Sequence, residues 1–172
     1  MHRDRVYGFA YRMLGAPTIA EDITHDTFLV LIEHPERYRS ERGSLLTFLC
    51  AVARNHVMNY FRRNSYELKD SNGSAVDSTS LKDETEHNPL STLISHELSE
   101  RVHASIAQLP PLQREVIVLR EFQELSYEEI AAVTGTEVSI VRARLHRARQ
   151  SLAVRLASYI SADRRRYELR RS

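Results

Sequence analysis

The sequence predicts an all-α chain, two small helical domains joined by a flexible acidic linker. Three observations carry that prediction. Glycine and proline number only five each in 172 residues, and apolar residues, 42% of the chain, recur three and four apart in short stretches. Prolines, glycines and hydroxyl residues stand where those stretches begin and end, as helix stops and caps require. Between two such helical blocks lies a polar segment with little to bury. A chain of this length suits one domain or two small ones. No apolar run approaches the roughly 18 residues that a spanning helix needs, so no membrane insertion is expected. Met1-His2-Arg3-Asp4-Arg5 leads straight into an amphipathic pattern with no signal-peptide profile. The one cysteine, Cys50, excludes an internal disulfide, and together these features point to the cytoplasm.

The first block, residues 1–65, reads as three helices. Val6 to Leu14 is the first, stopped by Gly15-Ala16-Pro17. Thr18 is the expected cap of the second, which runs to about His34 before Pro35, with Glu21 in the capping-box position. A polar, arginine-bearing loop from Glu36 to Ser44 leads to a third helix from about Leu45 to Arg63. Residues 66–88 then hold six acids against two lysines, a net charge of −4, with almost nothing apolar beyond Leu68. Such a segment buries too little surface to offset its ordering entropy and reads as a linker. The second block, residues 89–160, opens at Asn88-Pro89, an N-cap followed by proline at the first helical position. Its first helix carries Leu90, Leu93, Ile94, Leu98, Val102, Ile106 and Leu109 on one side. Pro110-Pro111 breaks it, and a helix from Leu112 to about Phe122 follows.

The net charge of +1 hides an asymmetry. From Val138 to the end, ten arginines stand against Asp163 and Glu168, a net charge of +8 that includes a basic tail at 161–172. A basic end of this kind is the footprint of a polyanionic partner. Just there the pattern becomes specific. Ser126-Tyr127-Glu128-Glu129 is a capping box opening a short helix with Ile130, Ala131 and Val133 as its packing face. Thr134-Gly135-Thr136 makes a turn, with a positive φ expected at Gly135. In the next helix Val138, Val141, Leu145, Ala148 and Leu152 form an apolar stripe. Its other face shows Ser139, Arg142, Ala143, His146, Arg147 and Gln150. This is a helix-turn-helix, whose second helix can reach base edges in the major groove while arginines hold phosphates.

Two features of the first block point to partners. Asp22, His25, Asp26, Leu29 and Glu33 share one face of its second helix, a leucine framed by acids that reads as a partner surface or a solvated face. The third helix interleaves Phe48, Tyr60 and Phe61 with Arg54, Arg62 and Arg63. Such aromatics either stack on single-stranded bases or fill a core. The eight histidines are scattered, so neither a metal site nor a cofactor is expected.

Ala20-Glu21-Asp22-Ile23-Thr24-His25-Asp26-Thr27-Phe28 resembles the core-binding helix of bacterial sigma factors, and Thr47-Phe48-Leu49 with Ala53-Arg54-Asn55 resembles their promoter-melting helix. Leu109-Pro110-Pro111-Leu112-Gln113-Arg114-Glu115-Val116, Leu125 to Ala131 and Arg144 to Arg149 resemble their −35-binding domain. The compact build is similar to that of the extracytoplasmic-function sigma factors. The resemblance implies a transcription initiation subunit, not an enzyme, acting with core RNA polymerase and promoter DNA and often held by an anti-sigma factor. It implies core contact through Asp22, His25, Asp26 and Leu29, and capture of the melted −10 strand by Arg39, Arg42, Asn55, Asn59, Arg62 and Arg63. It implies −35 reading through Ser139, Arg142, Ala143, His146 and Arg147. Several positions depart from the family pattern. His25 replaces a usual glutamine and Phe48 a tryptophan, while Cys50-Ala51 replace an aromatic-basic pair and thin the melting surface. Glu137 stands at the usual serine cap, which leaves capping to Thr136 or Ser139, and Ser139-Ile140 replace a Gly-Thr pair. The alternatives are a stand-alone helix-turn-helix regulator and a sigma-like module that docks on polymerase without melting DNA.

Overall fold

A computed structural model of the protein describes the backbone of residues 1–70 and 89–169 and the side chains of residues 1–64 and 98–157. Of the linker expected at 66–88, residues 66–70 instead continue the helix of the first block, and residues 71–88 lie outside the described residues, as does the end of the tail at 170–172. All regular structure among the described residues is helical: α1 (His2–Leu14), α2 (Pro17–Glu33), α3 (Leu45–Asp70), α4 (Pro89–Ala107), α5 (Pro111–Glu121), α6 (Tyr127–Thr134) and α7 (Val138–Leu169). Two single 3-10 turns, Pro35–Arg37 and Ser40–Arg42, shape the loop before α3.

Local chemistry accounts for most boundaries. Gly15 ends α1 at φ 69°, its N–H reaching the Tyr11 carbonyl, as a left-handed cap requires. Ser44 caps α3, its Oγ accepting the Thr47 N–H at 3.1 Å. The capping box of α6 is complete: Glu129 N–H donates to Ser126 Oγ at 3.1 Å, and Ser126 N–H donates to Glu129 Oε2 at 2.8 Å. One expected cap is corrected. Thr18 lies inside α2, because Pro17 occupies the first helical position, where its fixed φ and missing N–H cost nothing, and Ala16 takes the capping position. α1 starts four residues ahead of Val6, while α3 and α7 run beyond Arg63 and Leu152.

α1, α2 and α3 pack around Val6, Phe9, Met13, Ile23, Leu49 and Val57, all buried. Thr24 and Thr27 enter that core because their hydroxyls donate back to the Ala20 and Ile23 carbonyls, at 2.6 and 2.7 Å. The second unit centres on α5, where five consecutive residues, Glu115 to Leu119, are buried. An amphipathic surface helix cannot do this. α5 lies between α6 and α7 on one side and α1 on the other. Leu109, Leu125, Ile130, Val141, Leu145 and Ala148 complete the core. Leu98, expected on the apolar side of α4, faces water instead and is 42% exposed, and Ile32 on α2 is 73% exposed.

The two units pack directly on each other, through α1 and α3 against α4, α5 and α6. Several polar contacts cross that junction. Arg5 donates to the Gln123 carbonyl, and Gln123 Nε2 returns a bond to the Arg5 carbonyl at 3.1 Å. The Arg12 guanidinium lies 4.2 Å from the centre of the Phe122 ring, a cation–π contact. Arg114 donates to the Met13, Ala107 and Leu109 carbonyls, so one side chain satisfies the ends of α1 and α4 together. Burial lowers its pKa, and those carbonyls stand in for water around the charge.

Candidate nucleic-acid and partner interfaces

The helix-turn-helix is built as expected. Gly135 adopts φ 64° and ψ 34°, and its N–H reaches the Ala131 carbonyl, so the chain turns sharply after α6. The Glu137 carbonyl receives the N–H groups of Ile140 and Val141 at 3.0 and 3.1 Å, which makes Glu137 the backbone cap of α7. The two expected substitutes are engaged elsewhere. Thr136 shares a hydroxyl bond with Thr134 at 2.9 Å, and Ser139 Oγ donates to Glu137 Oε2 at 3.2 Å. Val141, Leu145 and Ala148 face the core, so Ser139, Ile140, Arg142, Ala143, His146, Arg147 and Gln150 face out.

The arginines of α7 divide into two groups by helical register. Arg144 lies on the inner flank, and its Nη1 meets Glu115 Oε1 at 3.2 Å. Arg149 pairs with Glu121 at 2.8 Å on the surface, which raises its pKa. Arg142 leans over Tyr127, 5.8 Å from the ring centre. Arg147 and His146 are exposed, with no hydrogen bond or ion pair among the described residues. Reading by residue type missed Ile140. It is a β-branched side chain 42% exposed beside these cations, and the signal was its position next to Ser139, outside the apolar stripe.

On α3, Asn55, Asn59, Arg62 and Arg63 are exposed on one face, and Arg62 Nη2 donates to Asn59 Oδ1 at 2.9 Å. Arg42, in the second 3-10 turn before α3, and Arg39, the extended residue that precedes that turn, are both exposed. Phe48 is half-buried against Tyr38, ring centres 5.7 Å apart. Cys50 is fully buried, and burial pushes its thiol up to about 12. That corrects one expectation: Cys50 belongs to the core, so its identity does not thin a melting surface.

The inner flank of α3 does something the sequence did not announce. Arg54 Nε donates to Glu115 Oε2 at 2.9 Å, so the fully buried Glu115 carboxylate holds one arginine from each unit. Thr47 Oγ1 donates to Glu129 Oε1 at 2.9 Å, tying α3 to the start of α6. Glu129 thus closes a capping box and a junction at once, and these bonds hold its carboxyl below the usual range. An Arg114-Glu115 pair set directly against the apolar run Val116 to Leu119 was the available sign.

On α2, Asp22, His25, Asp26, Leu29 and Glu33 are all exposed, and Ile32 joins Leu29 on that surface. Beside them a groove of about 490 Å³ runs between α1 and α2, lined by Arg3, Asp4, Tyr7, Glu21, Thr24, His25 and Phe28. Burial and the Glu21 charge push the Tyr7 phenol up. No helix among the described residues is long and apolar enough to cross a membrane.

This architecture, a three-helix unit with an acidic α2 face followed by a helix-turn-helix unit, is that of a sigma-70-type protein. Residues 1–66 match the family described as Sigma-70 region 2, and residues 99–152 match Sigma-70, region 4. The ECF RNA polymerase sigma factor SigE of Mycolicibacterium smegmatis is 32% identical over 160 residues, covering 93% of this chain, which spans 60% of SigE's length. SigW of Bacillus subtilis is 30% identical over 162 residues, 91% of this chain and 85% of that protein. The sigma factor RpoE of Bartonella quintana, solved with the anti-sigma factor NepR, superposes with a TM-score of 0.76 at 23% identity, over 91% of this chain and 92% of that one. The chain belongs to the extracytoplasmic-function sigma factors of the sigma-70 family.

Proposed function

We propose that this protein binds core RNA polymerase and directs promoter-specific initiation, acting in the cytoplasm as a regulator of transcription and not as a catalyst. The observation that carries this reading is the outer face of α7, where Arg142, His146 and Arg147 are presented by a helix-turn-helix whose first helix is capped at both ends. Arg147 and His146 meet base edges of the −35 element, Arg142 meets a base or a flanking phosphate, and Ser139 and Ala143 border the same groove. Asn55, Asn59, Arg62 and Arg63, with Arg39 and Arg42, take the melted −10 strand: amides bond base edges while guanidinium groups hold phosphates. Asp22, His25, Asp26 and Leu29 dock on the polymerase, with Ile32 as an added apolar contact. The same exposed faces suit an anti-sigma partner, the kind of protein with which the Bartonella factor was solved.

Reading both elements requires the two units to separate. Elements centred about 25 base pairs apart lie about 85 Å apart along straight duplex. A closed body of this size is only about 40 Å across. Opening must therefore break the Arg54–Glu115 and Thr47–Glu129 bonds while leaving Arg144–Glu115, within the second unit, intact.

Run-off transcription tests the proposal. Core polymerase supplied with this protein should transcribe specifically from promoters selected out of a random library, and neither component alone should do so. Stimulation from no selected promoter, with duplex binding intact, favours the stand-alone regulator instead. Reversing Asp22 and Asp26 to lysine should abolish co-purification with polymerase without changing the melting temperature. Normal co-purification would refute the assignment of that face.

A further inference from the structure

Seven large apolar residues are exposed among the described residues, and Ile140 is the one set on the helix-turn-helix face among cations. It lies in the first turn of α7, and Ala143, exposed one turn later, extends its apolar surface along the helix. Arg147 lies on the same side of the helix as the pair, and His146 flanks Ala143 one turn on. Two neighbours that could have read bases by hydrogen bonding are committed to each other, since Ser139 Oγ donates to the Glu137 carboxylate at 3.2 Å. The opening turn of the helix therefore meets the groove with carbon. Burying Ile140 would favour any apolar occupant, but the surrounding charge selects a polyanion. Within the major groove the apolar group on a base edge is the 5-methyl of thymine.

We propose that Ile140, extended by Ala143, reads the 5-methyl group of thymine in the −35 element and so sets a sequence preference at the base pairs facing the first turn of α7. This rests on the −35 role proposed above and adds to it a base, a contact type and a residue. Arg147 and His146 would read the neighbouring pairs by hydrogen bonding. The Ile140 contact differs in kind, because it senses a methyl that leaves Watson–Crick pairing untouched. Removing one buried methyl should weaken binding about fourfold.

The experiment uses holoenzyme and a duplex carrying the selected −35 element, with each thymine replaced singly by deoxyuridine. At one or two adjacent positions the uracil duplex should bind the wild-type holoenzyme about fourfold more weakly. In Ile140→Ala the thymine-to-uracil ratio at those positions should fall to about one, and it should stay unchanged elsewhere in the element. Ile140→Val should keep an intermediate ratio. A wild-type ratio of one throughout a well-selected element would overturn the methyl contact while leaving −35 reading in place. Failure to select any element would defeat the −35 role itself. If Ile140→Ala weakens thymine and uracil duplexes equally, the side chain serves packing or a protein contact and the inference is wrong. Because the side chain is substantially exposed, the variant should melt with the wild type, which a thermal scan checks.

Discussion

Arg144 and Arg147 stand three residues apart on one helix and do opposite work. Arg144 is drawn inward to a carboxylate with no solvent exposure, whereas Arg147 faces water with no partner among the described residues. The same contrast holds on α3, where Arg54 turns to Glu115 while Arg62 and Arg63 face out. Position around the helix, not residue type, separates an arginine that joins two units from one that is free for phosphate or base. A buried carboxylate is tolerable only while both cations remain. An outward arginine costs the folded state nothing to lose.

That contrast can be broken at its centre. Glu115→Ala leaves Arg54 and Arg144 facing each other without their counter-charge, and it should cost about 3–5 kcal/mol of stability in urea denaturation. A loss under about 1 kcal/mol would mean that water replaces the carboxylate and the cluster is not structural. Arg54→Ala removes only the contact between units. It should cost about 1.5–3 kcal/mol, and solution scattering should show a larger radius of gyration than for wild type. An unchanged radius would show that Gln123, Phe122 and Arg114 hold the units closed by themselves. Arg147→Ala should leave the melting temperature alone but weaken −35 duplex binding by about 1–3 kcal/mol. A loss below about half a kcal/mol would remove Arg147 from the base-reading set.

The smallest effect is a pH dependence at Glu129. Its carboxyl is held below the usual range first by the Ser126 N–H, with Thr47 and the Ser126 hydroxyl adding to it. A depressed carboxylate pKa contributes stability that is complete above the ordinary value of 4.5 and is lost as pH falls through the lower folded value. Acid should therefore erode the α6 cap and the α3–α6 junction together. Glu129→Gln should flatten that part of the stability profile as pH falls below 4.5, and by a modest amount, because the group is only half-buried. A profile unchanged by the substitution would assign the acid sensitivity to other carboxylates.

Local features were legible in the sequence to the extent that they are local in physics. Gly135, the Ser126–Glu129 box and the Val141–Leu145–Ala148 stripe each act within a few residues, and each stands where its chemistry placed it. Thr18 failed because two signals competed within three residues and the proline took precedence. Leu98 was misjudged because an apolar residue at the right spacing says which face it shares, not whether anything covers that face. Cys50 was misjudged in the opposite sense, its neighbourhood resembling a nucleic-acid surface while its own side chain turned inward.

By itself the sequence determined the helices, their caps, the turn between α6 and α7, and which residues present cations to solvent on the outer face of α7. All of these follow from backbone hydrogen bonding and helical periodicity within about a dozen residues. Only the tertiary structure decided that Glu115 is buried between two units, that Arg54 and Arg144 share it, and that Thr47 reaches Glu129. Those outcomes join residues 29 to 82 apart in sequence. No local propensity specifies such a pairing, because it exists only once two apolar cores have brought the charged groups out of water together.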